Sequence, residues 1–271
     1  MGQSGTILTS PEGTTWTERT SGVSGFLYGV TYGNGLFVTV GQSGTILTSS
    51  DGTSWTSRTS GTSNSLVGVT YGNGLFVTGG DIGTILTSTD GTSWTSRTSG
   101  TSNTLMGVTY GNGLFVMVGD FGIIFTSSDG TSWDNRTSGT SNQLNEVTYG
   151  NNIFVTVGLG GIILTSSDGT SWDNRTSGTS EHLAGVTYGN GLFVIVGYSG
   201  TILTSSDGTT WTERTSGTSQ YTVNLYRVTY GNNTFVTVGY SGTILTSSDG
   251  ISWTSRTSGT SNSLVGVTYS Q

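Results

Sequence analysis

The stretch TSSDGTSW, residues 48–55, returns as TSTDGTSW at 87–94, as TSSDGTSW at 126–133 and 165–172, as TSSDGTTW at 204–211 and as TSSDGISW at 246–253. A diluted copy, TSPEGTTW, stands at 9–16. Tryptophans consequently fall at 16, 55, 94, 133, 172, 211 and 253, a spacing of 39 five times and 42 once. Seven units of about 40 residues follow, and a period of that size marks a solenoid, a propeller or an array.

Composition alone would mislead. Apolar residues make up 31% of the chain and charged residues 8%, with Gly, Ser and Thr filling most of the rest, a profile shared with disordered low-complexity segments. Against disorder, Leu, Ile, Phe, Val and Trp recur at fixed places in every unit. The formal charge of -7, with no lysine, argues against a nucleic-acid partner, because phosphate binding needs a concentrated basic surface. The longest apolar runs, such as LFVIV at 192–196, are far too short to cross a bilayer, so no membrane insertion is expected. Cysteine is absent, which excludes disulfides and thiol chemistry and leaves the compartment open. Met1 leads straight into repeat sequence with no secretory signal; an extracellular or cell-surface place is expected only of an excised fragment.

Each unit reads as four short strands, exemplified by VGVTY (a, 67–71), LFVTG (b, 75–79), GTILTS (c, 83–88) and SWTSRT (d, 93–98). An Asn-Gly turn joins a to b, a short Gly-bounded loop joins b to c, and a DG turn joins c to d. The longest connection, SGTSNS after d, suits a crossing from the outer edge of one sheet to the inner edge of the next. Strands b and c are apolar on consecutive residues, so both faces need cover, and sheets stacked face to face around an axis supply it. The expectation is an all-β, seven-bladed β-propeller of about 39-residue four-stranded repeats. Residues 1–271 are expected to form one propeller domain, its seventh blade closed by both termini and lacking most of strand b. The open edges there could take a strand from another chain, a route to self-association.

The SxDGTSW turn resembles the Asp-box, or bacterial neuraminidase repeat, and the resemblance covers the whole chain. It implies the β-propeller fold of sialidases, sortilin-like receptors and photosystem II assembly factor propellers, with Asp51, Asp90, Asp129, Asp168, Asp207 and Asp249 holding the turns and Trp55, Trp94, Trp133, Trp172, Trp211 and Trp253 anchoring strand d. Asp and Trp here are four apart, one residue tighter than the usual pattern, and Glu12 replaces Asp in the first copy. Sialidases gather three arginines near the axis; here seven of eight arginines, Arg19 to Arg256, stand three residues after each Trp, a repetition that marks them as structural, surface charges or inter-blade donors.

The rim made by the a–b and c–d turns is nearly invariant between units, whereas the b–c and d–a loops vary. Binding residues tend to sit on such loops above a rigid scaffold. The candidates are Asp81, Asp120, Phe121, Glu146, Glu181, His182, Tyr198, Tyr221, Tyr226, Arg227 and Tyr240. Aromatic faces beside carboxylates suit sugars, so the leading expectation is a non-enzymatic, weak, multivalent carbohydrate- or protein-binding module. The alternatives are a structural or engineered repeat scaffold without a ligand and, more distantly, a glycoside hydrolase using paired carboxylates. No cofactor is expected, and no metal, since His and Cys clusters are lacking.

Overall fold

The computed structural model describes residues 1–217 and 223–270. Six antiparallel four-stranded sheets follow one another along the chain: blades 1 (27–58), 2 (66–97), 3 (105–136), 4 (144–175), 5 (183–214) and 6 (225–256). In blade 1 strand a is Leu27–Gly33, b is Leu36–Gly41, c is Ile46–Ser49 and d is Thr56–Arg58, hydrogen-bonded in that order. Strand d begins later than its sequence pattern suggested, at Thr56, because the residues before it close the turn.

The expected seven blades are not there. The seventh sector holds a two-stranded sheet, Ile7–Thr9 against Thr17–Arg19, and a single bridge between Gly2 and Leu264. Strand b supplies both neighbours of a blade with their ladder partners; with only Met1 and Gly2 in its place, residues 265–270 gain no strand and the sheet stops at two. Six blades of four strands plus this small sheet replace the seven-bladed expectation.

Local chemistry explains each blade. Gly33 and Leu36 pair across the a–b turn, so Asn34 and Gly35 form a two-residue loop, and their φ of 50° and 73° gives the mirror-image turn whose twist matches the strands. In the c–d turn, Asp51 Oδ1 accepts the backbone N–H groups of Thr53 at 2.8 Å and Ser54 at 2.9 Å. Ser49 Oγ accepts from Gly52 N–H at 2.8 Å, and Trp55 Nε1 donates to the Gly52 carbonyl at 3.1 Å. The backbone donors and Thr53 hold the Asp51 carboxyl well below the usual carboxylate range. Glu12 keeps only a 3.5 Å contact from Thr14 Oγ1.

Packing repeats with the turns. Each complete blade carries an aromatic tier such as Tyr110–Phe115–Trp133, with ring centroids 4.7 and 6.5 Å apart, and Phe115 is fully buried. Cores form between blades: Val77 and Ile85 of blade 2 pack with Leu105, Phe115 and Met117 of blade 3. The ring closes through the small sheet, Leu8 and Trp16 packing on blade 6 and Ile7 on blade 1. The inner strands approach so closely that a Cβ on Gly111 would collide with the Tyr149 ring of the next blade. The repeated arginines bond within a blade rather than between blades: Arg58 Nε donates to Thr48 Oγ1 of strand c at 2.9 Å.

Candidate binding rim and axial ion pair

The b–c connections are short 3-10 turns, and the middle residue of each takes a left-handed conformation. In blades 1, 5 and 6 that residue is Ser43, Ser199 or Ser241, and in blade 4 it is Gly160. Blades 2 and 3 place Ile82 (φ 55°) and Phe121 (φ 56°) there. A β-branched residue in that region is strained, and both side chains stand in solvent, at 65% and 71% exposure. Leu159 and Tyr240, first residues of the equivalent turns in blades 4 and 6, are exposed as well.

Elsewhere over blades 4 to 6, residues of the same rim and the strands below it contact one another. Tyr198 stacks on His182 with centroids 4.3 Å apart, and Tyr226 meets Tyr198 edge-on at 6.0 Å. Asn145 Nδ2 donates to the Leu183 carbonyl at 2.8 Å and faces His182 Nε2, while its Oδ1 accepts from Gln143 Nε2 at 2.9 Å. With Asn145 oriented as a donor, Nε2 is the acceptor and the imidazole is neutral, its proton on Nδ1. Burial, with Arg227 adding to it, lowers the His182 pKa and favours that neutral form. Glu181 accepts from Ser199 Oγ at 3.1 Å. Burial raises the Tyr226 phenol, with Tyr198 contributing in the same direction.

Beneath this cluster lies an ion pair. Strand a carries, at its third position in successive sectors, Gly29, Gly68, Gly107, Glu146, Gly185, Arg227 and Gly266. The two that are not glycine meet over Gly185: Arg227 Nε lies 2.8 Å from Glu146 Oε2, with side chains 22% and 19% exposed. Arg227 Nη1 also donates to the Ala184 carbonyl at 2.6 Å. A Cβ at Gly185 would press on the Arg227 backbone, the same close approach of inner strands that Gly29, Gly68 and Gly107 allow. Burial pushes the Glu146 carboxyl up, while the guanidinium pulls it down. A narrow cavity of about 170 Å³ runs past both residues along the inner strands.

Of the residues singled out in the sequence, Glu146, Glu181, His182, Tyr198, Tyr226 and Arg227 come together in this arc. Tyr240 stands beside it, close enough to raise the Tyr226 phenol slightly. Asp81, Asp120 and Phe121 lie on other blades: Asp81 accepts a 3.4 Å hydrogen bond from Thr104, and Asp120 opens the turn that presents Phe121. Tyr221 falls outside the described residues. Asn145 was missed because it falls on the variable second position of the LxGVTYG pattern, although it is the one amide there, next to Glu146. Asn224, whose Oδ1 accepts from Ser199 N–H at 3.3 Å, was missed too, and Ile82 and Leu159 were left out of the candidates because single changes in so repetitive a chain look like drift. Among the described residues there is no group of three or more His, Asp or Glu that could hold a metal ion, and no helix long and apolar enough to cross a membrane.

These features define the chain as a β-propeller with a variable rim. No protein-family model matches the sequence, and no curated protein sequence does. Among solved structures, YCF48 bound to D1 peptide is similar with a TM-score of 0.68 at 19% identity, over 93% of this chain and 84% of that one. YCF48 from Cyanidioschyzon merolae follows with a TM-score of 0.66 at 16% identity, covering 92% and 87%. Virginiamycin B lyase from Staphylococcus aureus gives a TM-score of 0.75 at 15% identity, covering 84% and 83%. At these identities the likeness establishes the propeller fold alone; the similar structures include both a peptide-bound protein and a lyase.

Proposed function

We propose that the chain, acting as one propeller unit over residues 1–271, is a non-enzymatic protein-binding module that holds partner segments on the rim of b–c and d–a loops. The observation that carries this reading is the exposure of Ile82 and Phe121 in strained turns whose sister positions hold serine or glycine. Strain and exposed apolar surface both oppose stability, and both are characteristic of contact sites. That YCF48, of similar fold, is recorded bound to a D1 peptide supports a peptide or protein partner over a sugar. Catalysis finds little support: Glu146 is tied to Arg227, Glu181 to Ser199, and His182 to Asn145 and Tyr198. Five Ser-Asp-Thr networks at the c–d turns, and a sixth in which Asp249 accepts from Ser247 and from the backbone of Ile251 and Ser252, support reading those turns as Asp-boxes that stiffen the opposite rim.

Parallel peptide and glycan arrays test the proposal. The expected outcome is saturable peptide binding that disappears in Ile82→Ser with Phe121→Ser, with the melting temperature unchanged or raised. Glycan binding lost in Tyr198→Ala with Tyr240→Ala would instead restore the carbohydrate reading.

A further inference from the structure

The seventh sector contains a groove whose shape the rest of the chain explains. In blade 1, Leu27 pairs with Gly41 and Gly29 with Val40. In the seventh sector Gly2 bridges Leu264, and the Met1 carbonyl accepts from the N–H groups of Val265 and Gly266 at 2.8 and 3.1 Å. Met1 and Gly2 therefore occupy the last two positions of a b strand. The four preceding positions, held in blade 1 by Leu36, Phe37, Val38 and Thr39, correspond to a cavity of about 570 Å³ between residues 267–270 and the edge of Ile7–Thr9.

Three observations show what that cavity is shaped for. Six aromatic tiers elsewhere place a Phe between a Tyr and a Trp, fully buried in five of them and half-buried at Phe37, which itself borders this cavity; here Tyr269 and Trp16 both line the cavity, and Tyr269 is 40% exposed. Ile7–Thr9 pairs with Thr17–Arg19 alone, so its other edge presents a backbone ladder without a strand beside it. Ser10 Oγ, at the cavity wall, is buried without a hydrogen-bond partner, although its counterpart Ser49 bonds to both Asp51 and Gly52.

We propose that this groove is a second binding site, separate from the rim, that takes one extended apolar segment of a partner protein as the missing strand. The segment runs antiparallel to both neighbours and carries the pattern Leu/Ile-Phe-Val-Thr, its Phe completing the tier between Tyr269 and Trp16. Backbone pairing gives affinity and the alternate side chains give specificity, as in other strand additions. A second copy of this chain is disfavoured as donor, because each of the six b strands is already paired on both edges within its blade.

The test uses the 271-residue chain and the acetylated, amidated peptide GNGLFVT, the sequence of residues 33–39. Calorimetry should show saturable one-to-one binding, weakened by about tenfold or more in the Phe-to-Ser peptide. Hydrogen exchange should slow at 7–10 and 266–270 only, and Ile82→Ser with Phe121→Ser should leave this binding intact, which separates it from the rim. Binding that ignores the Phe replacement, or protection confined to other strands, would overturn the proposal. So would failure to saturate at millimolar peptide. A chain that is already dimeric, with 7–10 and 266–270 protected and no response to peptide, would overturn it in favour of a second copy as occupant.

Discussion

Blades 2 and 5 share one strand plan and differ most at the same turn. In blade 2, Ile82 points into solvent from a left-handed residue; in blade 5 that residue is Ser199, bonded to Glu181, and the preceding Tyr198 lies against His182. Departures from the repeat are therefore of two kinds. Over blades 4 to 6 most satisfy one another, as Asn145, Glu146, His182, Tyr198 and Arg227 do, with Leu159 and Tyr240 left exposed beside them. Over blades 2 and 3 they are left facing outward at a local cost. Mutual satisfaction leaves nothing free for a ligand, whereas unsatisfied apolar exposure is what the proposed binding rim requires.

The largest expected effect breaks the organised arc. Arg227→Ala leaves Glu146 partly buried without its partner and should cost about 3 kcal/mol in chemical denaturation. Replacing both residues by glycine, the residue at the five sister positions, should recover most of that loss. If the double variant is as unstable as the single one, the pair is not the source of the cost.

Next in size is a contrast between the two aromatic residues. Tyr198→Ala removes a stack and an edge contact and should lower stability by about 1 kcal/mol, a fall of roughly 2–4 °C in melting temperature. Phe121→Ser should change stability by less than about 0.5 kcal/mol while weakening partner binding. Equal thermal effects in the two variants would erase the distinction between the arcs.

Ile82→Gly should stabilise by about 0.5–1 kcal/mol, since relief of left-handed strain outweighs the added freedom of the unfolded chain. Gly160 already holds the equivalent place with φ 69°. A lower melting temperature would show that the Ile82 side chain is supported by contacts within the blade.

The smallest effect is a pH dependence. The folded pKa of His182 lies below its ordinary value of about 6.5, so neutral His182 contributes its full stability above that pH and the contribution is lost as pH falls through the window beneath it. The raised carboxyl of Glu146 acts in the opposite sense, since protons are then favoured by the folded state above the ordinary glutamate range. Comparison with His182→Gln isolates the histidine: the melting temperature of the parent should drop more between pH 7.5 and 5.5 than that of the variant. Parallel curves would remove His182 from the arc's energetics.

Much of this molecule is legible in its residues. The recurrence of DGTSW, the Asn-Gly turns and the consecutive apolar residues of b and c establish repeated four-stranded sheets, because turn geometry and two-faced burial are local consequences of those residues. The variable loops could be identified by comparing units with one another. Counting repeats nevertheless overstated the blades: seven turns were visible, but a blade also needs a b strand, and whether Met1 and Gly2 could stand in for one depends on pairing between residues far apart in sequence. The inter-blade role proposed for the arginines failed for a related reason, since Arg58 and Thr48 belong to the same sheet and only the register shows it.

Residue order by itself determined the strands, their turns and the stiff rim, all set by neighbours within a few positions. Only the closed ring decided that Glu146 and Arg227, 81 residues apart, share one ion pair over Gly185, that His182 is turned inward while Phe121 is turned out, and that the last sector holds a groove. Those outcomes depend on how close the inner strands approach around the axis, a distance that exists only once every sheet has packed against its neighbours.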